Sequence, residues 1–145
     1  MFPSLPQTSN TTEGPAFNEH NTPYEALGGD HAVRALVDCF YDSMHRDPRF
    51  ARIRALHKPD LADARQKLYE FLCGWLGGPQ LYIQKHGHPR LRARHTPFAI
   101  GELQRDQWLA CMASAMNERN VSGEIRAFLD SRFRHVADFM RNQEQ

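Results

Sequence analysis

The stretch Gly87-His88-Pro89-Arg90-Leu91-Arg92-Ala93-Arg94-His95-Thr96-Pro97-Phe98 concentrates more potential metal ligands and cations than any other part of this 145-residue chain. With Lys85 and His86 just upstream, the run from 85 to 95 carries Lys85, Arg90, Arg92, Arg94 and the histidines 86, 88 and 95, and no acid. An anionic group is expected against it, because arginines grip carboxylates and phosphates. Pro89 can open a short helix and Pro97 must close it, so His95 is expected at the end of about two turns, held where it can offer an imidazole. A zinc site built from His86, His88 and His95 is the weaker reading, since the Cys or acid ligands of a closed site are missing. Nucleic acid is not expected as a partner. A helix bounded by prolines is too short to read a groove, and 18 Lys+Arg against 17 Asp+Glu leave a net charge of only +1.

Two further side chains invite chemistry. Tyr41 falls on an apolar helical stripe beside Phe40, so its ring is expected inside, where a phenol needs a hydrogen-bond partner. Trp108 raises the same question with its indole N–H. Either both donors meet backbone carbonyls, or they face a cavity that binds a small polar ligand.

The elements that must position these residues are helical. Tyr24-Glu25-Ala26-Leu27 reads as one turn stopping at Gly28-Gly29, with Asp30 as N-cap of the next helix. Val33, Leu36, Val37, Phe40, Tyr41 and Met44 then recur at helical spacing until Asp47-Pro48. Phe50, Ile53 and Leu56 suggest a short helix or turn leading to His57. Asp60 caps a second stripe of Leu61, Ala64, Leu68, Phe71, Leu72, Trp75 and Leu76, which stops at Gly77-Gly78-Pro79. Residues 79 to 88 have little period and are expected to be loop. Leu103, Trp108, Leu109, Met112 and Met116 form the apolar face of a helix from Glu102 to about Asn117. Ser122 or Gly123 begins the last helix, carrying Ile125, Phe128, Leu129, Phe133, Val136, Ala137 and Met140.

No segment alternates with strand period, so the class is all-α, in one domain by length. Residues 1–22 show no period and are expected to be a flexible arm ahead of a domain spanning 23–145. Cys39, Cys73 and Cys111 lie far apart in apolar segments, which suits buried thiols and a cytoplasmic address. No window is apolar enough for a membrane span, so no membrane association is expected.

Taken together, four separated blocks resemble the group II truncated haemoglobins over roughly residues 24 to 141. They are Phe40-Tyr41; Phe71-Leu72 with Trp75-Leu76-Gly77-Gly78-Pro79; the run Gly87 to Phe98; and Arg105-Asp106-Gln107-Trp108-Leu109. The resemblance implies a truncated globin fold, a two-over-two helical sandwich around haem b, with His95 as proximal iron ligand through Nε2. It implies Tyr41 and Trp108 on the distal side, donating to a bound diatomic ligand. Ala64 then stands where many globins carry a distal histidine, Leu68, Phe71 and Phe98 help to line the haem, and Arg92 and Arg94 are candidates for the propionates. His57 falls near a corner where the family often carries an aromatic residue; it faces either the distal pocket or solvent.

The function that the resemblance implies is reversible binding of dioxygen at a five-coordinate iron, with CO, NO and peroxide as further small ligands. Slow release suits storage, scavenging or sensing. The alternative is redox catalysis, peroxidase-like or nitric-oxide detoxifying, for which an unidentified reductase would keep the iron ferrous. A neutral proximal histidine without a carboxylate partner argues against strong peroxidase activity. A monomer or weak homodimer is expected.

Overall fold

The structure is a computed structural model, and it describes residues 17–143. Among these residues the chain is helical, and the only pairing of extended backbone is an isolated bridge between Asn18 and Asn21. Of the arm expected over 1–22, residues 1–16 lie outside the described residues. Phe17 sets its ring edge-on to Phe128 at 4.9 Å, and Asn18 accepts hydrogen bonds from the backbone of His20 and Asn21.

Helix α1, Pro23–Leu27, starts where Thr22 Oγ1 accepts the Glu25 N–H at 3.1 Å and a proline fills the first position. It ends at Gly28, whose φ of 126° an L side chain avoids. Helix α2, Gly29–Arg46, follows directly, so Gly28 rather than Asp30 is its N-cap. Asp30 lies inside the first turn instead, where its carboxylate accepts the Tyr69 hydroxyl of a neighbouring helix. A tertiary hydrogen bond has taken the side chain that local sequence assigns to capping.

After a 3-10 turn, Pro48–Phe50, and helix α3, Ala51–Arg54, the chain turns at His57 and enters helix α4, Ala62–Trp75. Leu61 rather than Asp60 is the N-cap of α4; Asp60 stands one residue further out, where its Oδ1 accepts the Ala62 N–H at 2.9 Å. The far end closes with Gly77 at φ 97°, its N–H on the Gly74 carbonyl and the Gly78 N–H on that of Cys73, so a left-handed glycine terminates the helix. Helices α7, Glu102–Glu118, and α8, Gly123–Phe139, complete the frame.

Helix α2 packs against α4 and α7, and α7 against α8, which makes two pairs, one laid over the other. The core between them holds Leu36, Val37 and Phe40 of α2, Leu72 and Cys73 of α4, Met112 and Ala115 of α7, and Leu129 and Phe133 of α8. Each large side chain removed from water here contributes about 1.5–3 kcal/mol before entropy is charged against it. Leu103, placed by its spacing on the apolar face of α7, is instead 53% exposed, because only the later turns of that helix are covered.

Two departures bear on the site. Residues 81–86, expected to be loop, form helix α5, Leu81–His86. Its apolar period is short, and it is held by neighbours: Tyr82 is buried edge-on to Phe71, while Lys85 and His86 reach Glu70 of α4. Helix α6 is Leu91–His95, one turn rather than two, and Pro89 lies outside it. Arg90 takes the left-handed conformation, φ 50°, and the helix begins only after it.

Candidate functional site

His95 closes helix α6. Its Nδ1 lies 2.7 Å from the Leu91 carbonyl one turn back, and a carbonyl can only accept, so Nδ1 carries the proton and Nε2 keeps its lone pair. Asn142, just beyond α8, braces this corner: its amide donates to the carbonyls of His95 at 3.2 Å and Phe98 at 2.8 Å, and its Oδ1 accepts the Ile100 N–H. Nothing in the sequence marks this asparagine, because its role exists only when the ends of α6 and α8 meet.

The ring of Phe98 stands 6.4 Å from that of His95. Arg92 and Arg94 project to different sides of α6. The Arg92 guanidinium lies over the Phe139 ring at 5.2 Å, whereas Arg94 Nε donates to the Pro89 carbonyl at 2.8 Å with its guanidinium 5.9 Å from the Tyr82 ring. His86 and His88 do not join His95. His86 Nε2 is 3.1 Å from Glu70 Oε1, and His88 Nδ1 accepts the Arg90 N–H. Among the described residues no group of three or more His, Cys, Asp or Glu is arranged to hold a metal.

Tyr41 is 6% exposed, and its ring meets the rings of Phe40 at 4.9 Å and His57 at 5.7 Å. Burial pushes its hydroxyl well above the ordinary value of 10, with the Arg65 guanidinium over the ring pulling weakly the other way, so it remains a donor across the physiological range. Trp108 packs on Phe40 at 5.3 Å and Phe133 at 5.5 Å. Neither the phenol nor the indole N–H has a hydrogen-bond partner among the described residues, so the expectation that backbone carbonyls satisfy them is not met.

The corner carrying His57 is tied from several directions. His57 Nδ1 donates to the Ile53 carbonyl at 2.8 Å, leaving Nε2 as an acceptor. The Arg54 guanidinium donates to the carbonyls of Lys58 and Pro59 and to His45 Nδ1. Gln107, beside Trp108, accepts the N–H groups of Arg52 and Ile53. The ring is half-buried against Tyr41 rather than turned to solvent, and that burial, with Arg54 and His95 opposing a further charge, holds its pKa below 6.5.

Helix α4 divides its apolar residues between two faces. Tyr69, Leu72, Cys73 and Leu76 are buried in the core, whereas Ala64, Leu68, Phe71 and Trp75, at helical spacing, remain only partly covered. This partly covered apolar face of α4 suits a flat apolar group with a metal at its centre. A haem suits these features: an imidazole nitrogen with a free lone pair, an apolar wall and, among the described residues, two donors without a hydrogen-bond partner.

Comparison with known proteins agrees. Residues 22–142 match the family described as Bacterial-like globin. The group 2 truncated haemoglobin YjbI of Bacillus subtilis is 42% identical over 125 residues, 86% of this chain and 92% of that one. The group II 2-on-2 haemoglobin of Agrobacterium tumefaciens superposes with a TM-score of 0.82 at 42% identity, over 95% of this chain and 100% of that chain. The truncated oxygen-avid haemoglobin of Bacillus subtilis superposes with a TM-score of 0.78 at 43% identity, over 84% of this chain and 100% of that chain. With the helical pairs, an available imidazole and matches over most of its length, the chain belongs to the group II truncated haemoglobins, a haem-binding, small-ligand-binding branch of the bacterial-like globins.

Proposed function

We propose that the chain binds haem b through His95 Nε2 and holds dioxygen reversibly beside Tyr41 and Trp108. The observation that carries this is an imidazole whose Nδ1–H is already committed to Leu91, together with two donors, Tyr41 and Trp108, that have no hydrogen-bond partner among the described residues and a partly covered apolar face on α4. Haem supplies an iron that takes up dioxygen, CO or NO at its open position. The chain's own residues do the rest. Leu91 fixes the tautomer and orientation of His95, and because the acceptor is a neutral carbonyl the imidazole stays a neutral ligand. Leu68, Phe71 and Phe98 exclude water from the apolar faces, and one of Arg92 and Arg94, which project to different sides of α6, meets a propionate.

On the distal side the Tyr41 hydroxyl and Trp108 N–H donate to a ligand that draws partial negative charge. In a dry pocket such bonds need no reorganisation and slow the ligand's escape. Ala64 leaves a short gap where a larger side chain would close the entrance. His57 stands behind Tyr41 as an acceptor while neutral, competing for the hydroxyl proton, and becomes a donor when protonated. The oxygen-avid character of the Bacillus subtilis relative supports this assignment.

This points to oxygen storage, scavenging or sensing rather than bulk transport, with a reductase returning oxidised iron to the ferrous state. The three buried thiols, with Cys39 pushed up to about 11 and Cys111 to about 12 by burial, are unreactive and suit a cytoplasmic setting. Among the described residues no helix is long and apolar enough to cross a membrane. Optical spectra of the ferric, ferrous and CO-bound forms test the assignment: a five-coordinate ferrous spectrum that changes fully with CO is expected, and a purified chain that shows no Soret band after haem addition refutes it.

A further inference from the structure

Haem accounts for only part of the basic run. Four of the chain's 18 Lys+Arg and none of its 17 Asp+Glu lie between Glu70 and Glu102, which leaves 14 against 17 for the rest, so positive charge is polarised toward α5 and α6. Lys85 is paired with Glu70. Arg90, Arg92 and Arg94 are exposed, and no acid among the described residues pairs with them. With one of Arg92 and Arg94 on a propionate, the other and Arg90 still lack a counter-charge. Helix α6 has no buried residue, so the whole of it is surface. What surrounds it is apolar or already neutralised. Arg92 lies over the ring of Phe139, which is 50% exposed at the end of α8. Arg105 reaches Asp138 at 2.8 Å and Arg141 reaches Glu102 at 3.7 Å, so the acids of this corner carry their own cations. The same pairs bring the first turn of α7 against the end of α8, which places the exposed Leu103 in the corner with Phe139. Two exposed apolar side chains beside uncompensated arginines make an apolar centre with a cationic rim, the form of a small transient protein interface.

We propose that α6 and the adjoining end of α8 form the docking surface for a small acidic electron-transfer protein, carrying a flavin or an iron–sulfur centre, that returns the ferric iron to the ferrous state. Charge selects the partner. A field polarised toward α6 draws in an acidic surface and repels a basic one, and arginines at the rim act mainly on the rate of encounter. Phe139 and Leu103 supply the apolar area that leaves water when the partner seats. His95 closes the same one-turn helix, so the partner seats on the element that carries the proposed iron ligand. The step balances with one electron: an anionic reduced flavin or a reduced iron–sulfur centre loses it, the ferric iron gains it, and no covalent bond forms or breaks.

The proposal rests on the haem assignment above, and the test separates the two. The full chain is loaded with haem, its Soret band recorded, and the amide chemical shifts of the ferrous CO form followed as an oxidised flavodoxin, an acidic FMN protein, or an oxidised two-iron ferredoxin is added. With at least one of the two, shifts are expected from Arg90 to His95 and from Asp138 to Asn142, and they should vanish as ionic strength rises from about 0.02 to about 0.5 M. Arg90→Glu and, separately, Phe139→Ser, each checked for an unchanged Soret band, should slow anaerobic reduction of the ferric chain by the same protein in its reduced form by about tenfold at low salt, while reduction by dithionite stays at the parent rate. Shifts confined to other residues, no shifts with either protein, or variants reduced at the parent rate overturn the docking surface and leave the haem assignment standing. Shifts on α6 raised only by phosphatidylglycerol vesicles, or only by concentrating the chain itself, also overturn it, making the surface a lipid site or a contact between copies. Absence of a Soret band overturns both. If either variant takes up no haem, the shift map of the parent chain decides.

Discussion

Replacing Tyr41 by phenylalanine separates ligand stabilisation from fold stability. Tyr41 is buried as a residue and its hydroxyl makes no hydrogen bond to the described residues, so its removal breaks no hydrogen bond among them, and the ring contacts to Phe40 and His57 survive. The stability of the haem-free chain should therefore stay level, since no hydrogen bond among the described residues is lost. The bond to dioxygen is lost. A donor to a charged acceptor contributes about 1.5–3 kcal/mol, and the pocket's dryness favours the upper part of that range. That energy corresponds to dioxygen leaving about tenfold to a hundredfold faster. Stopped-flow displacement of dioxygen by CO measures the rate, and thermal unfolding of the haem-free chain gives the control. An unchanged off-rate would show that the hydroxyl does not reach the ligand. A faster rate accompanied by a large loss of stability would show that Tyr41 acts through packing instead. Trp108→Leu provides the companion test, and a double variant that falls short of the product of the two effects would show that the donors share one ligand atom.

Three other perturbations follow from the geometry. His95→Gly should lose the haem from the isolated protein and regain a Soret band when imidazole is supplied, as the optical spectrum will show; a spectrum unchanged without imidazole would exclude the ligand assignment. His57 is held below its ordinary 6.5, so the unfolded chain binds more protons between the two values. Its contribution to stability is fully present above 6.5 and is lost as pH falls toward the lower folded value, so His57→Gln should flatten that part of the melting-temperature profile; an identical slope in the variant would place the ring in solvent. Gly78→Ala would set a Cβ 2.6 Å from the Tyr24 ring, forcing the ring and α1 aside. It should lower stability by about 1–3 kcal/mol in denaturant titrations, and an unaffected midpoint would mean that α1 is not held by this contact.

Much of the fold is legible in the sequence because the long helices carry their own instructions. In α2 the apolar period and Asp47-Pro48 specify both the buried face and the end, and in α4 the Gly77-Gly78 pair specifies a left-handed stop. Short elements are less legible. Helix α5 has too few residues for a period and exists because Tyr82, Lys85 and His86 find Phe71 and Glu70 on α4. Glu70 illustrates the difficulty. It is 4% exposed and looks in sequence like any surface acid. Burial alone would raise its pKa, yet hydrogen bonds from Gln66, Lys85 and His86 overcome that and leave it lowered, a balance no single segment reveals.

The sequence by itself determined the helical class, the four apolar stripes, the family and the identity of the residues on which the function is proposed, because each rests on local period, local turn chemistry or a motif within one segment. The tertiary structure decided what those residues face. It turned His57 toward Tyr41, gave Tyr41 and Trp108 no hydrogen-bond partner among the described residues, and directed the Nδ1–H of His95 to Leu91. It divided the stripe of α4 into a covered face and an open one, and recruited Asn142 to hold the corner where His95 sits. Burial and hydrogen-bond direction depend on which segments meet, and those meetings join residues as far apart in the chain as His95 and Asn142.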